Sequence, residues 1–396
     1  MKILILNSGS SSIKFQLIEM PSEVLVCSGL LEKVGSEDAI VNYKKDGVNF
    51  KQTKAIFNYN EGLQNIAELL LDSENGVIKT RDEIEVIGHR VVHGGNLFSA
   101  TTLITPEVKT EIEKCIPLAP LHNPANLEGI VVAEQRFPNA KQVAVFDTAF
   151  HQTIPEKANR FAIPKKLFED EAIQVYGFHG ISHKYVSEKA NAYLGLEKSK
   201  IITIHLGNGC SMTAIKDGLS IDHSLGFTPS NGLIMGTRSG DIDHGVLFYL
   251  VNTLGYSLDE VNKLLTKESG MLGLTGYSDL RDIISQAEKG DRDCVLALEM
   301  NAYRIKKYIG SYISAMNGVD AIVFTAGIGE NASIIRKKAC EDMDFFGISI
   351  DEDKNEQNSK EIREISEENA KVKVMVIPTN EELEIAKQAY FLVVNG

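Results

Sequence analysis

Two stretches of this sequence have the same design: ILILNSGSSSIKFQL (residues 3–17) and IITIHLGNGCSMTAIKDG (residues 201–218). In each, an apolar run rich in β-branched residues leads into glycines with hydroxyl or amide side chains, and a second such run follows. Two β-prone runs joined by a short glycine turn predict a β-hairpin. Because the hairpins begin about half a chain apart, they predict two similarly built halves; the alternative is a chance resemblance between two glycine-rich hairpins.

The chain alternates short β-branched runs with longer amphipathic stretches, which is typical of the α/β class. Strands are predicted at residues 3–6, 13–17, 24–29, 86–89, 142–146, 201–205, 212–216, 321–325 and 372–377. Helices are predicted at residues 59–71, 106–115, 124–136, 183–194, 245–254, 258–266, 295–316 and 381–395. At about 150 residues per domain, the length of the chain predicts two domains with full cores.

Composition excludes several classes of protein. The formal net charge of −13 argues against a nucleic-acid binder, which needs a basic face. No apolar run approaches the roughly 20 residues of a membrane span, and the first residues do not resemble a signal peptide. The five scattered cysteines form no CxxC pair, which argues against a disulfide framework or a cysteine zinc site. We therefore expect a cytoplasmic protein.

Three glycine-rich loops follow predicted strands, at residues 7–14, 205–211 and 324–331. Glycine lets backbone N–H groups surround an anion, and Lys14 adds a positive charge to the first loop. Any one of these loops is equally well explained as a polar turn, but three in one chain predict a nucleotide cleft. The sequence has no GxxxxGK[ST] and no complete GxGxxG after a strand, so a P-loop and a dinucleotide fingerprint are excluded.

Several charged or titratable side chains lie at predicted strand ends or between glycines: Arg90, Asp147, His179 and Arg238. Guanidinium groups and a histidine in such positions can hold an anion, and a carboxylate at a strand end often faces a ligand. The structural alternatives are a helix cap for Asp147, a core histidine for His179 and a surface loop for Arg238. Glu381 opens the last helix, where it either complements the helix dipole or binds magnesium.

His89 and His93 are four residues apart, which invites a zinc interpretation. They lie on a predicted strand end and a glycine loop, where a spacing of four does not place two side chains on one helical face. We do not expect metal ligation there.

Taken together, the motifs resemble those of the acetate kinase family, within the acetate and sugar kinase, heat-shock 70 and actin superfamily. The resemblance runs over essentially the whole chain, through NSGSSSIK, HRVVHGG, FDTAFH, YGFHG, HLGNG, GTRSGD, FTAGIGEN and PTNEE. It implies two duplicated actin-like (ribonuclease H-like) ATPase domains with ATP in the cleft between them. From this resemblance we expect an N-terminal domain of residues 1–149, joined by a C-terminal helix at 384–396. We expect a nucleotide-binding domain of residues 150–383.

The resemblance also implies a reaction: reversible, direct in-line transfer of the γ-phosphoryl group of ATP to acetate, giving acetyl phosphate and ADP. It implies Mg²⁺, with Mn²⁺ as a substitute, ATP as co-substrate and a homodimer. Because acetate is already ionised at neutral pH, its attack needs no general base. We therefore expect Asp147 to orient groups or a magnesium-bound water rather than to take a proton.

By the same resemblance, each motif position has an expected role. The residues around the transferred phosphoryl group are Arg90, Asp147, His179 and Arg238. The residues that bind ATP are Lys14, His205, Leu206, Gly207, Asn208, Gly209, Asp279, Leu280, Arg281, Gly327, Ile328, Gly329, Glu330 and Asn331. Arg90 also binds the acetate carboxylate, and the pocket for its methyl group is Val92, Leu121, Phe178 and Pro229. The magnesium-site residues are Asn7 and Glu381.

Two alternatives remain open from the sequence. A kinase for propionate or another short-chain carboxylate would share nearly every motif. A chaperone-like or filament-forming ATPase of the same superfamily would share the fold, but it has no reason to carry Arg90, Phe178, His179 and Arg238 together.

Overall fold

The computed structural model describes residues 1–396, which fall into two compact units. The first unit comprises Met1–Phe150 and Asn380–Gly396, and the second comprises His151–Thr379. The strands are β1 (Lys2–Gly9), β2 (Ser12–Glu19), β3 (Val24–Glu32), β4 (Ser36–Lys45), β5 (Val48–Ile56), β6 (Ile84–Val91), β7 (Thr102–Leu103), β8 (Lys141–Phe146), β9 (Lys200–Leu206), β10 (Cys210–Lys216), β11 (Leu219–His223), β12 (Ala321–Thr325), β13 (Arg363–Glu364) and β14 (Lys373–Val376).

The helices are α1 (Tyr59–Leu71), α2 (Pro106–Lys114), α3 (Asn123–Arg136), α4 (Glu156–Asn159), α5 (Lys165–Glu169), α6 (Gly180–Leu194), α7 (His244–Asn252), α8 (Leu258–Lys267), α9 (Gly270–Thr275), α10 (Leu280–Glu288), α11 (Arg292–Met316), α12 (Ala326–Asn331), α13 (Ser333–Cys340), α14 (Glu352–Glu356) and α15 (Glu381–Asn395). No helix is both long and apolar enough to cross a membrane.

The first unit contains an eight-stranded mixed sheet in the order β5-β4-β3-β2-β1-β6-β8-β7. β1 and β2 form the predicted hairpin, with Asn7 opposite Lys14, and β3 continues it antiparallel. β6 and β8 extend the sheet on the other side of β1, parallel to it. Helices α3 and α15 both pack against β1. A strand at the centre of such a sheet is buried by its neighbours, which explains the unbroken apolar run at residues 3–6.

The second unit contains a six-stranded mixed sheet in the order β11-β10-β9-β12-β14-β13. β9 and β10 form the second predicted hairpin, and β11 continues it antiparallel. β12 is parallel to β9, and β14 is parallel to β12. Six strands of each sheet therefore share one order and one set of directions, with the hairpin in the same place. The predicted α/β class and the predicted duplication are confirmed.

The predicted elements are all present, but the structure contains others that the sequence pattern does not show. The largest is the β4–β5 hairpin, which widens the first sheet. β5 is exposed along almost its whole length, so polar residues occupy both faces and no hydrophobic period marks it as a strand. In the third glycine loop, helix α12 begins directly after β12, so most of that loop is helical.

Candidate functional site

In the first unit, three parallel strands bring polar side chains to one edge of the sheet. Asn7 lies near the end of β1, Arg90 near the end of β6, and Asp147 directly after β8. Because these strands are parallel, their carboxyl ends meet at the same edge, where α/β sheets place ligands. The three residues are far apart in the sequence, and only the pairing of their strands brings them together.

Arg90 is the centre of this group. Its Nη2 donates to Oδ2 of Asp147 at 2.6 Å, and its Nε lies 3.2 and 3.1 Å from the two carboxylate oxygens of Asp147. Its Nη1 donates to Oδ1 of Asn7 at 3.4 Å. The Asp147 carboxylate is almost completely buried. Such a two-pronged pair fixes the guanidinium plane, so Asp147 holds Arg90 in one orientation.

Helix α15 adds two carboxylates to the same edge. Asn380 caps the helix by accepting from the backbone N–H of Leu383, which places Glu381 in the first turn. Oε2 of Glu381 lies 3.9 Å from Nε of Arg90. Oε1 of Glu382 lies 2.6 Å from Nζ of Lys14, so the hairpin lysine is paired with the helix.

The charges in this cluster interact strongly. Burial by itself lowers the pKa of Arg90, but the neighbouring carboxylates of Asp147 and Glu381 raise it above its ordinary value. Burial raises the pKa of Glu381, an effect that Arg90 opposes and the negative charge of Asp147 reinforces. A buried carboxylate next to others is stabilised by any further cation. The site therefore favours a cation beside Glu381.

The oxygen donors here suit magnesium. Mg²⁺ usually takes one or two protein oxygens and completes its shell with water and substrate phosphates. Asn7 Oδ1 and Glu381 Oε2 both lie within 4 Å of the Arg90 guanidinium, at 3.4 and 3.9 Å. No group of three or more His, Cys, Asp and Glu side chains forms a metal cage anywhere in the chain. Nε2 of His89 instead makes a hydrogen bond to Gln142, and Nδ1 of His93 accepts one from the N–H of Gly95.

In the second unit, the glycine loops surround a cavity of about 870 Å³. The predicted ATP residues that line it are Leu206, Gly207, Asn208, Asp279, Leu280, Arg281, Gly327, Ile328 and Asn331. The predicted residues His205, Gly209, Gly329 and Glu330 do not line it, and neither does Lys14, which lies in the first unit. The sequence analysis did not identify the remaining lining residues, which are Cys210, Ile234, Met235, Gly236, Met271, Ser278, Ile284, Asn301 and Ala332.

A backbone hydrogen bond joins two of the segments that line this cavity. The N–H of Gly236 donates to the carbonyl of Asn208, and a Cβ at residue 236 would lie 2.1 Å from Oδ1 of Asn208. A side chain at residue 236 would therefore require the exposed Asn208 side chain to move. On the opposite side, the buried Arg336 donates to the carbonyls of Gly329 and Glu330 and so fixes the end of α12.

Asp279 and Arg281 lie at the start of α10. Oδ1 of Asp279 accepts from the N–H of Arg281, and both carboxylate oxygens accept from its guanidinium. Hydrogen bonds from Arg281 lower the pKa of Asp279 to about 2. This pair closes one wall of the cavity with a charged, solvent-exposed group.

His179 and Arg238 lie beside the turn of the second hairpin. A Cβ placed on Gly209 would be 3.5 Å from Nε2 of His179 and 3.7 Å from Nη1 of Arg238, so both groups lie close to one point. His179 has a left-handed backbone with φ of 57° and immediately precedes α6. Nη1 of Arg238 donates to the carbonyl of Pro229, and burial lowers the pKa of Arg238.

The four residues predicted for an apolar pocket are divided between the units. Val92 is buried in the first unit, where its N–H donates to Asn126, and Leu121 is 62% exposed there. Phe178 is buried in the second unit, and Pro229 precedes the segment that carries Arg238.

Comparisons with known proteins agree with this arrangement. The model of the acetokinase family matches residues 2–387. An acetate kinase of Flavobacterium johnsoniae is 62% identical over 396 residues, covering 100% of both chains. The crystal structure of Porphyromonas gingivalis acetate kinase has a TM-score of 0.94 at 46% identity and covers 99% of each chain. A propionate kinase from Francisella tularensis has a TM-score of 0.92 at 43% identity, covering 98% of this chain and 99% of that one.

These matches extend over the full fold, and the predicted actin-like ATPase architecture is confirmed. The motifs on which the resemblance was based lie in the two sheets and loops described above. The chain belongs to the acetokinase family.

Proposed function

We propose that this protein transfers the γ-phosphoryl group of ATP to acetate, reversibly and with Mg²⁺, giving acetyl phosphate and ADP. Arg90 carries this proposal most directly: it is a partly buried guanidinium, fixed by Asp147, with oxygen donors suited to magnesium around it. An enzyme that only hydrolyses ATP has no need for such a group. The 62% identity with an acetate kinase over the full chain supports the same reaction.

Phosphoryl transfer depends on positioning and charge stabilisation more than on covalent help from the protein. We assign Arg90 and Arg238 to the oxygens of the acetate carboxylate and the transferred phosphoryl group, which planar guanidinium groups bind well. His179 donates a hydrogen bond to the same phosphoryl group. Asp147 does not need to take a proton, because acetate is already ionised at neutral pH. Its pairing with Arg90 supports a positioning role instead.

We assign the magnesium ion to Asn7 and Glu381, with Mn²⁺ as a substitute because it accepts the same oxygen ligands. When bound, the ion would neutralise charge on the ATP phosphates. Lys14 lies on the first hairpin and would bind phosphate. Because its Nζ is 2.6 Å from Glu382, it must share or leave that carboxylate to do so.

The nucleotide itself we assign to the cavity of the second unit and to the segments at residues 205–209, 279–281 and 327–331. Val92, Leu121, Phe178 and Pro229 would surround the methyl group of acetate. This assignment keeps the division into an N-terminal domain of residues 1–149 with 384–396 and a nucleotide-binding domain of residues 150–383. The two compact units, which divide near residues 150 and 380, support it.

Propionate or another short-chain carboxylate is the second candidate substrate. It is favoured by the similarity of this chain to a propionate kinase structure at a TM-score of 0.92. A pocket larger by one methylene group discriminates by only about 1–3 kcal/mol, so both acids can be used by one site.

The test is to trap acyl phosphate as hydroxamate with MgATP and a series of formate, acetate, propionate and butyrate. We expect acetate to give the highest kcat/KM. A higher value for propionate would establish the second candidate. ADP release that is independent of any acid would establish an ATPase and overturn both.

We also propose that the protein is a homodimer in the cytoplasm. Helix α7 is apolar along most of its length yet has no buried residue, and Phe248 and Tyr249 are among its exposed side chains. Exposed apolar patches of this kind mark interaction surfaces, so a second copy would cover it. All five cysteines are free and buried, which supports a reducing compartment.

A further inference from the structure

Five of the nine histidines lie together in the second unit: His151, His179, His183, His205 and His223. The ring of His179 stacks on that of His205 at 4.3 Å, and the rings of His151 and His223 lie 4.1 Å apart. Burial and the neighbouring histidines hold the pKa of His183 and of His223 well below the ordinary value, so both are neutral.

Two of these rings hold the backbone that precedes His179. Nε2 of His223 accepts from the N–H of Phe178 at 3.1 Å, and Nε2 of His151 donates to the carbonyl of Phe178 at 3.0 Å. Because a peptide N–H only donates and a carbonyl only accepts, the proton lies on Nδ1 in His223 and on Nε2 in neutral His151. The N–H and the carbonyl of Phe178 are therefore both hydrogen-bonded to imidazoles whose tautomers are defined.

A separate chain of hydrogen bonds leads to the His179 ring. The hydroxyl of Thr203 lies 2.7 Å from Nδ1 of His183, and Nε2 of His183 lies 2.7 Å from Oγ of Ser211. Oγ of Ser211 lies 2.8 Å from Nδ1 of His179. Thr203, His183 and Ser211 are completely buried, so water does not compete for these bonds.

The direction of this chain follows from proton counting. A neutral imidazole donates through one nitrogen and accepts through the other, and a hydroxyl has one proton to donate. Unlike the His223 ring, the His183 ring makes no bond to a backbone group, so the hydroxyls decide its tautomer. If His183 donated to Thr203, the buried Thr203 O–H would lose its partner, and an unmade buried hydrogen bond costs free energy. Thr203 therefore donates to Nδ1 of His183, His183 donates to Ser211, and Ser211 donates to Nδ1 of His179.

We propose that Thr203, His183 and Ser211 are positioning residues that fix the proton of His179 on Nε2. That nitrogen is the one beside Gly209 and Arg238, where the proposed function places the transferred phosphoryl group. The proposal rests on that function only for its catalytic consequence. With the proton on Nε2, neutral His179 donates to an anionic oxygen; with the proton on Nδ1, its lone pair would repel that oxygen.

The tautomers can be measured directly in the full-length protein without substrates. Long-range proton–nitrogen NMR correlations on ¹⁵N-histidine-labelled protein distinguish Nδ1–H from Nε2–H rings, and single His179→Gln and His183→Gln variants assign the signals. We expect both His179 and His183 to carry the proton on Nε2. A proton on Nδ1 of His179 would overturn the proposal, whatever reaction the enzyme catalyses.

Kinetic variants test the consequence separately. Ser211→Ala removes the donor to His179, and we expect kcat to fall about tenfold or more while KM for ATP changes little. Thr203→Val removes the first hydroxyl and should let His183 and His179 populate both tautomers, whereas Thr203→Ser keeps the hydroxyl and should keep single tautomers. Ser220→Ala is the matched control, since Ser220 bonds a different histidine, His151, and should leave the His179 signals unchanged.

Unchanged kcat in a folded Ser211→Ala protein would overturn the positioning role. If instead the wild-type protein shows the expected tautomers but transfers no phosphoryl group to any acid, the hydrogen-bond chain stands and the proposed function fails. The two failures are therefore distinguishable.

Discussion

Nη2 of Arg90 lies 2.6 Å from Oδ2 of Asp147, and Nε of the same guanidinium lies within 3.2 Å of both carboxylate oxygens. The pair joins the ends of two parallel strands whose residues are 57 positions apart. Its geometry leaves Nη1 directed at Asn7. Asp147 therefore sets the orientation of the one guanidinium in the first unit that we assign to substrate.

Asp147→Asn tests this relationship. The asparagine amide has the shape of the carboxylate, but an NH2 donor replaces one of the two acceptor oxygens. It therefore cannot accept hydrogen bonds from Arg90 at both positions. We expect kcat to fall about 100-fold or more, because misplacing one stabilising group at a transition state has that effect. Asp38→Asn is the control, since it removes a carboxylate from an exposed pair with Lys33. Near-normal turnover and magnesium dependence in Asp147→Asn would contradict the role.

Asn7→Ala tests the magnesium assignment. Removing its amide oxygen takes away one of the two protein donors proposed for the ion. We expect the magnesium concentration at half-maximal rate and KM for MgATP to rise about tenfold, a value typical of lost oriented metal partners. Steady-state rates over a magnesium titration measure both. Asn49→Ala, on the exposed strand β5, should change neither. An unchanged magnesium titration in Asn7→Ala would remove the assignment.

Val92→Ala tests the pocket for the methyl group. The side chain is buried, and shortening it makes room for a longer acyl chain. We expect the ratio of kcat/KM for propionate to that for acetate to rise about tenfold, in line with the discrimination available from one methylene group. Val24→Ala changes an exposed valine and should leave the ratio unaltered. If chain-length preference stays the same in Val92→Ala, Val92 does not contact the acyl group.

Much of the fold can be predicted from the sequence because two separate features identify its central strands. Residues 3–17 and 201–218 show both the apolar runs of buried strands and the glycine turn between them, and both became hairpins in the same sheet position. Strand β5 is not marked in this way. β4 buries Ala39, Val41 and Tyr43 at alternate positions, but β5 is exposed almost throughout, so burial imposes no period on its residues and its pairing with β4 determines it.

The candidate site could be predicted only where a short motif contains the residue. Arg90 and Asp147 each belong to a motif, but nothing local indicates that they pair, since the sheet brings them together. The histidine cluster shows the same limit more clearly. Nothing in the sequence around His183 and His223 indicates that their rings meet. Only the packing of α6 against β9 and the register of the second sheet bring them within reach of His179 and Ser211.

Phe248→Glu tests the proposed homodimer. The side chain is 62% exposed on α7, a helix with no residue buried within the chain. A charge in the centre of an apolar interface is left unpaired and desolvated, so we expect the variant to be monomeric at micromolar concentrations. Light scattering after size-exclusion chromatography measures the mass. Phe345→Glu is the control, because Phe345 is 90% exposed and lies in a separate short turn at Asp344–Phe346. A dimeric Phe248→Glu protein would place any interface elsewhere.

His89 gives a prediction about pH and stability. Its ring is buried and its Nε2 lies 2.8 Å from Oε1 of Gln142. Burial lowers the pKa of His89 to about 4, and the hydrogen bond that His89 donates to Gln142 opposes that shift only in part. In the unfolded chain the group has its ordinary pKa near 6.5, so between these two values the unfolded state binds the extra proton. The free energy of unfolding should therefore fall as pH drops from about 6.5 towards 4.

His89→Asn removes this proton uptake. We expect the slope of the free energy of unfolding against pH to be smaller than in the wild type, by up to about 1.4 kcal/mol per pH unit over that window. Urea titrations at several pH values give the slope, which is independent of any uniform loss of stability caused by the substitution. His244→Asn is the control, because its side chain is 89% exposed and should not alter the slope. Equal slopes for wild type and His89→Asn would show that His89 is protonated alike in the folded and unfolded chains.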